Sequence, residues 1–391
     1  MRFKKDLILL FLVIAIGVSF GSGFYYGKLQ CKVCPPEEID FSLFWEAWQK
    51  LEENYVNPEK LDVQEMIYGA ISGMVQSLED PHTIFLNPSD TKRFIEDVKG
   101  TFEGVGMEIG IRKGQLQVIA PLEGTPAQRA GLRAGDKIIK IDDVLTIDLT
   151  IDEAVNLIRG TKGTRVILTI YREEWAQSKE ISILRDIIEI PSIKWQLIEG
   201  DIAYVQLYHF SEKASLDFNR AAIEMLNSPV QKIILDLRNN PGGYLEIAQD
   251  IAGYFLERGK VVVIEDFGEK KAQRQYLVNG SAIFVEYPLV ILINEGSASG
   301  SEILAGALRD QRGVLLIGEK SFGKGSVQEL TKLREGSSLK ITVANWLTPK
   351  GELINDRGLT PDIEVEITEE DYEKDRDPQL DKAIEIVKEI R

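Results

Sequence analysis

A mixed α/β fold, with a largely parallel sheet preceded by a small β-rich domain and a helical arm, follows from three observations. After residue 200, continuous apolar runs such as KIILDLR, PLVILIN and VLLIG alternate with helical patterns, as strands covered on both faces do. Short β-rich runs crowd residues 100–185. Helical spacing dominates before them. The reading divides the chain into 1–36 (signal or anchor and linker), 37–99 (helical arm), 100–185 (β-rich domain), 186–368 (core) and 369–391 (C-terminal helix).

Arg2, Lys4 and Lys5 precede an apolar run from Leu7 to about Tyr26, the pattern of an export signal. About 20 such residues span a bilayer once as a helix. Small residues from Ser19 to Gly23 leave a cleaved signal open, while Phe24, Tyr25 and Tyr26 suit the interfacial belt of an uncleaved anchor. Cys31 and Cys34 form a lone CxxC with no second pair to complete a zinc site and no surrounding redox pattern; outside the cytoplasm some disulfide pairing is expected. From Phe41 to about Lys99, Phe44, Trp48 and Leu51, then Ile67, Ile71, Met74, Val75 and Leu78, recur at helical intervals. The aromatic stripe reads as core or subunit contact.

Between Gly100 and about Arg185 lie GVGMEIGI, QLQVIAPL, DKIIKIDD and RVILTIYRE, with one helical pattern, TIDEAVNLIRG. The order of PAQRAGLRAGDKIIKID, a short helix, a glycine stop and a strand, resembles a PDZ domain. Gly104, Val105, Gly106 and Met107 match that family's carboxylate-binding loop. Glycines there let successive N–H groups turn inward on an anion, and an edge strand beside helix 151–159 takes up a peptide as an added strand.

The chain has 391 residues, 44% hydrophobic and 28% charged, with a formal charge of -16 that argues against nucleic-acid binding. With only His82 and His209 present, a His-rich metal site is not expected. Three loops follow apolar strands: RNNPGG (238–243), NEGSASGSE (294–302) and KSFGKGS (320–326). Ligands collect outside the carboxyl ends of such strands, so the three loops are expected to converge. GEKSFGKGS approaches a phosphate-cradling P-loop, but Gly325 stands where the magnesium-holding hydroxyl belongs, which makes an ATPase a weak reading.

Ser297, Ser299 and Ser301 precede a helix that begins near Ser301 or Glu302. Any one of them caps a helix in the ordinary way. Three, separated by Ala and Gly, exceed what capping needs, and the helix N-terminus supplies N–H groups for an oxyanion. A serine nucleophile requires a base: His82, His209, or a lysine whose amine loses its charge on burial. Lys324, between Gly323 and Gly325, is the lysine candidate.

DLRNNPGG, the SASxSE pattern, EILAGALRD and GEKSFGKGSVQ stand in the order found in the carboxy-terminal processing peptidases, or tail-specific proteases, and the chain resembles that family from about residue 40 onward. The resemblance implies exported serine endopeptidases with a PDZ domain and a Ser/Lys dyad on a crotonase-like core. It assigns Ser299 as nucleophile and Lys324, 25 positions later, as base, with Gln328 orienting the lysine. Since a straight strand would separate 324 from 328 by about 13 Å, the loop must fold back for that contact. Gly300 and one of Gly242 or Gly243 are the implied oxyanion donors; Gly300 departs from the family's frequent Ala, which keeps the N–H. Asp310 also matches a family position, but about 16 Å of helix from Ser299 makes it structural.

The resemblance implies neither cofactor nor metal. Its partners are protein or peptide substrates held by C-terminal tails, the membrane through the N-terminal segment, and a homodimer through the N-terminal or C-terminal helices, with no nucleic acid. From the N-terminal export signal the expected location is extracytoplasmic, periplasm or outer face of the membrane, anchored or secreted. Two rivals remain beside the P-loop: a catalytically silent PDZ scaffold and a crotonase-like acyl-CoA enzyme.

Overall fold

The computed structural model describes residues 15–22 and 39–390, apart from positions 113, 123, 173, 190, 369, 372, 373 and 375. Residues 15–22 are helical; the rest of the proposed anchor, with Cys31 and Cys34, lies outside the described residues. Among the described residues no helix is long and apolar enough to cross a membrane. The chain divides into two units, Met1–Gly69 and Ala70–Arg391.

In the first unit the helix Ser42–Asn54 buries none of its residues. Phe44, Trp45 and Trp48 pack on one another at its surface, with ring centres 5.1 to 6.2 Å apart. Among the described residues, then, the aromatic stripe of this helix is not core.

In the second unit the sheet that positions the site has six strands, in the order Ile193–Ile198, Ile202–Leu207, Lys232–Asp236, Leu289–Ile293, Leu315–Gly318 and Ile363–Glu364. The first pair is antiparallel and every later pair parallel. Because side chains alternate across a strand, Ala203, Val205, Ile233, Leu235, Ile291 and Ile293 face the helices Ala214–Leu226, Leu245–Phe255 and Gly300–Arg312. Tyr204, Ile234, Val290 and Leu292 face the other way, onto Ala383 and Val387 of the helix Pro378–Glu389. Both faces are covered, as the apolar runs predict.

Two expectations change. Val261–Asp266 leaves the parallel sheet: the polar segment after it returns as Arg274–Leu277, forming a hairpin, and the pair joins a second, antiparallel sheet with Ser338–Leu347. That sheet also takes in Ser326–Lys332 and a three-residue strand, Ile84–Leu86, which interrupts the helical reading of 41–99. Such a short run carries no periodicity of its own; its partners lie some 250 residues away in sequence and supply its conformation.

The β-rich domain is closed at its base by Thr101–Gly104 against Asp186–Glu189, so the chain enters and leaves on one two-stranded stem. Its own sheet runs Met107–Arg112, Gln115–Pro121, Lys137–Ile141, Arg165–Tyr171 and Lys179–Leu184. The helix Ile151–Ile158 starts at Thr150, whose hydroxyl accepts from the Glu153 amide at 3.2 Å while Glu153 Oε2 accepts from the Thr150 amide at 2.8 Å, a reciprocal cap.

Candidate active site

The three loops converge. Ser299, Lys324 and Gln328 line one cavity of about 610 Å³ together with Gly242 and Gly243. Apolar wall is supplied by Phe210, Ile303, Val327 and Trp346.

The structure separates the three serines. The Ser297 hydroxyl, buried, donates to Leu237 O at 2.8 Å and accepts from the Asn294 amide at 3.0 Å. The Ser301 hydroxyl, also buried, donates to Asn240 O at 2.9 Å, tying the helix start to the NPGG loop. Ser299 is half-buried and faces the cavity. It sits at φ 52°, ψ -111°, a conformation costly for a side chain with a Cβ, on the sharp turn from Leu289–Ile293 into Gly300–Arg312. Strand, strained serine and helix make an elbow that brings Ser299 to the cavity wall.

Gly242 is required where it stands. A Cβ there would lie 2.7 Å from the Gly300 nitrogen and from Ser299 Cβ, and φ is +98°. The close approach brings the NPGG backbone against the start of the helix. Gly242 gives its N–H to Asn240 Oδ1 at 2.9 Å. Gly243 is therefore the better placed of the two glycines to pair with Gly300 on an oxyanion.

Lys324 follows a strand, Leu315–Gly318, and is followed by another, Ser326–Lys332, with no helix after the glycine loop. That removes the P-loop reading, which needs a helix N-terminus for the phosphates. A Cβ on Gly325 would fall 2.1 Å from the Asn355 nitrogen, so the lysine loop lies directly on the Ile354–Asn355 backbone. The Lys324 side chain is half-buried, and burial holds its amine below the usual lysine range while the charge of Glu302 works in the opposite direction. No direct hydrogen bond joins the Ser299 hydroxyl to the Lys324 amine among the described residues. Gln328 reaches the cavity, but its amide donates to Ser326 Oγ at 2.8 Å, not to Lys324.

Glu302 is the residue that sequence reading passed over. Almost fully buried, it accepts four hydrogen bonds: on Oε1 from Ser321 Oγ at 2.6 Å and the Gly323 amide at 2.7 Å, on Oε2 from the amides of Ser299 and Lys324 at 2.9 Å each. Burial raises its pKa, and these donors oppose the rise. A Ser followed three residues later by Glu is a capping signature, and it was legible as such. The reach to the lysine loop was not. Asp310 lies outside the cavity and accepts from the Lys350 amide at 3.0 Å, a structural role. His209 lines the cavity; His82 does not. Among the described residues no cluster of His, Cys, Asp and Glu is arranged to hold a metal.

Known proteins resemble this chain in sequence and fold. Residues 201–365 match the model for peptidase family S41, 117–172 that for a PDZ domain and 34–90 that for the activating protease CtpB N-terminal domain. The carboxy-terminal processing protease CtpA of Bacillus subtilis is 33% identical over 376 residues, covering 95% of this chain and 79% of the relative. The chain belongs to peptidase family S41. Within S41 it groups with the carboxy-terminal processing proteases: that of Bartonella bacilliformis is 40% identical over 328 residues, 83% of this chain and 74% of the relative. The S41 chain also superposes on a photosystem II D1 C-terminal processing protease with a TM-score of 0.52 at 28% identity, covering 83% of this chain and 92% of that one.

In this S41 chain the PDZ groove is lined by Phe102, Val105, Gly106, Met107, Val155 and Ile158. Gly104 ends the strand Thr101–Gly104 and is not part of that lining.

Proposed function

We propose that the chain is an exported serine endopeptidase that cleaves protein substrates at or from their C-terminal region, with Ser299 as nucleophile and Lys324 as base. The observation that carries this reading is the contrast among the serines: two hydroxyls are tied down in the loop packing, while Ser299 is held in strain over a cavity it shares with a partly dehydrated amine.

In the proposed sequence the neutral Lys324 amine takes the Ser299 proton as the hydroxyl oxygen attacks the scissile carbonyl. For that the two must close to about 2.6–3.2 Å. The Gly300 and Gly243 N–H groups receive the oxyanion, the lysinium returns its proton to the leaving amine, and an acyl-enzyme remains. The same amine then takes a proton from water, whose oxygen attacks the ester, and returns it to Ser299 Oγ as the acyl–oxygen bond breaks and the second product leaves as an acid that ionises. Gln328 takes part by fixing the loop through Ser326 at rest and reaching Lys324 on closure.

The PDZ groove, in this reading, binds an apolar C-terminal tail by its carboxylate and either delivers the substrate or switches the protease on. The N-terminal segment anchors the chain or is removed after export, leaving the catalytic unit outside the cytoplasm. The exposed aromatic face of Ser42–Asn54 supports an assembly contact there, such as a homodimer.

The deciding experiment is acylation of Ser299 by a serine-directed reagent, followed by peptide mapping, in the wild type and in Lys324→Ala. Labelling that depends on Lys324 supports the dyad. No labelling of Ser299 under conditions where the protein is folded leaves the silent PDZ scaffold. A second assignment of the base rests on His209, which lines the same cavity; labelling that persists in Lys324→Ala and disappears in His209→Ala would select it.

A further inference from the structure

Beside Lys324, a second amine reaches the active-site cavity. Lys340 lies on Ser338–Leu347, opposite Leu330 on one side and Ile84 on the other. Its side chain, half-buried, lines the cavity that Ser299, Lys324, Gln328 and Leu330 also line. Gln328 and Leu330, two residues apart on one strand, lie on the same face and about 7 Å apart along it. Lys340 therefore stands one such step beyond Gln328, on the side away from the lysine loop. Its Nζ is 5.4 Å from the centre of the Phe94 ring, on the helix Pro88–Lys99. Among the described residues it forms no ion pair. Asp80, the acid whose charge acts on it, already accepts from the Thr83 hydroxyl at 2.6 Å and the His82 amide at 2.9 Å. The carboxylates in the cavity lining, Glu246 and Glu265, come from other elements, Leu245–Phe255 and Val261–Asp266, and Glu265 Oε2 accepts from the Tyr276 hydroxyl at 2.9 Å.

We propose that Lys340 is a specificity-determining residue: its ammonium receives a carboxylate of the bound substrate, so that the protease favours chains carrying a negative charge at one fixed distance from the scissile bond. The inference deepens the Ser299/Lys324 reading and rests on it. An ammonium without an ion-pair partner, in a cavity that Phe94, Ile95, Val98 and Leu330 also line, is partly stripped of water. It gains more from an arriving anion there than it would at an open surface. The Phe94 ring attracts the cation and restrains its position without neutralising it. Lys324 cannot take this part, because its amine must be uncharged when Ser299 attacks. The carboxylate comes either from an Asp or Glu side chain or from the end of the substrate chain. An ammonium binds both alike, so the position of the charge in the substrate tells them apart.

The test starts from mass-spectrometric mapping of the cuts that the full chain makes in a reduced, unfolded protein of known sequence. A peptide spanning one cut is then made with Glu, Gln or Lys at each position on either side of the scissile bond, and with its C-terminus free or amidated. For each peptide kcat/KM is measured with the wild type, Lys340→Gln, Lys340→Arg and Lys340→Glu, with melting curves to verify folding. If a side chain supplies the carboxylate, the wild type should favour Glu over Gln at one position by about 10- to 100-fold, the scale of a hydrogen bond to a charged group. If the chain end supplies it, the free acid should be favoured over the amide to the same extent. Lys340→Gln should erase the preference, Lys340→Arg should keep it, and Lys340→Glu should invert it, toward Lys at that position or toward the amide. A uniform loss of activity with the preference intact, the mark of a merely structural residue, overturns the inference. So does a wild type that treats charged and neutral peptides alike. Cutting that persists in Ser299→Ala or Lys324→Ala would instead reject the dyad, so the two failures are distinct.

Discussion

Ser299 and Lys324 place their backbone N–H groups on one and the same oxygen: both donate to Glu302 Oε2, at 2.9 Å each. The Ser299 turn and the lysine loop are thus clamped through a single buried carboxylate, which sets their relative position whatever their side chains do.

Replacing Glu302 by Gln turns one acceptor oxygen into a donor that faces N–H groups. The two loops should separate, and a misplacement of about 1 Å costs turnover on the order of 10²-fold. Each buried donor left unpaired also costs about 1–3 kcal/mol of stability. Steady-state kinetics and a melting curve on Glu302→Gln check both; kcat within a factor of two of the wild type would remove the clamp.

Lys324 should be a liability for stability. Its folded pKa lies below its unfolded value, so the unfolded chain binds the proton more readily: the penalty is full below the folded pKa and vanishes as pH rises to the unfolded one. Lys324→Met should therefore melt at a higher temperature than the wild type at neutral pH, by a margin that narrows toward alkaline pH, while its activity is lost. Melting curves at a series of pH values measure this.

The closeness of Gly242 to the helix start is equally testable. Gly242→Ala sets a Cβ against Gly300 N and Ser299 Cβ at a positive φ. The NPGG loop must then retreat and take Gly243 with it. In the proposed mechanism this removes one oxyanion donor, a loss that costs about 10²–10³-fold in kcat, and the effect should appear in kcat with KM little changed.

Arg238 fastens the C-terminal helix to the sheet. Its guanidinium donates to Asp236 at 2.7 Å and to Asp377 at 2.8 Å, and Asp377 caps the helix through the Leu380 amide at 2.9 Å. Arg238→Met strands the buried Asp236 charge, and breaking such a pair costs about 3–5 kcal/mol. Burial disfavours the Asp377 charge, but Arg238 and the backbone donors outweigh it, leaving the pKa lowered. Its contribution to stability is accordingly present above the unfolded carboxylate value and lost as pH falls through the folded one. Acid titration followed by circular dichroism should show the wild type losing this increment and Asp377→Asn lacking it from the start.

Much of the core was readable along the chain because its strands are buried on both faces and therefore apolar throughout. The convergence of the three loops after those strands was readable from residue type, whereas Ser299 and Lys324 were singled out within them only through the family resemblance. Val261–Asp266 was harder: an apolar run looks alike in a parallel sheet and in a hairpin, and the return strand Arg274–Leu277 has the polar texture of a loop. Ile84–Leu86 is too short to show a period. Gln328 was expected on Lys324, yet the strand that begins at Ser326 turns its amide onto that residue's hydroxyl.

The linear order of residues determined which chemistry is available: a serine before a helix, a lysine between glycines, an α/β core and an inserted PDZ domain. Folding decided which of three serines lines the cavity, that a carboxylate three residues beyond it also grips the lysine loop, and that Lys340 shares the cavity. Local signals are written in short-range backbone preference and burial pattern. Hydrogen bonds and charge repulsion between segments distant in sequence exist only once packing has brought them together and excluded water.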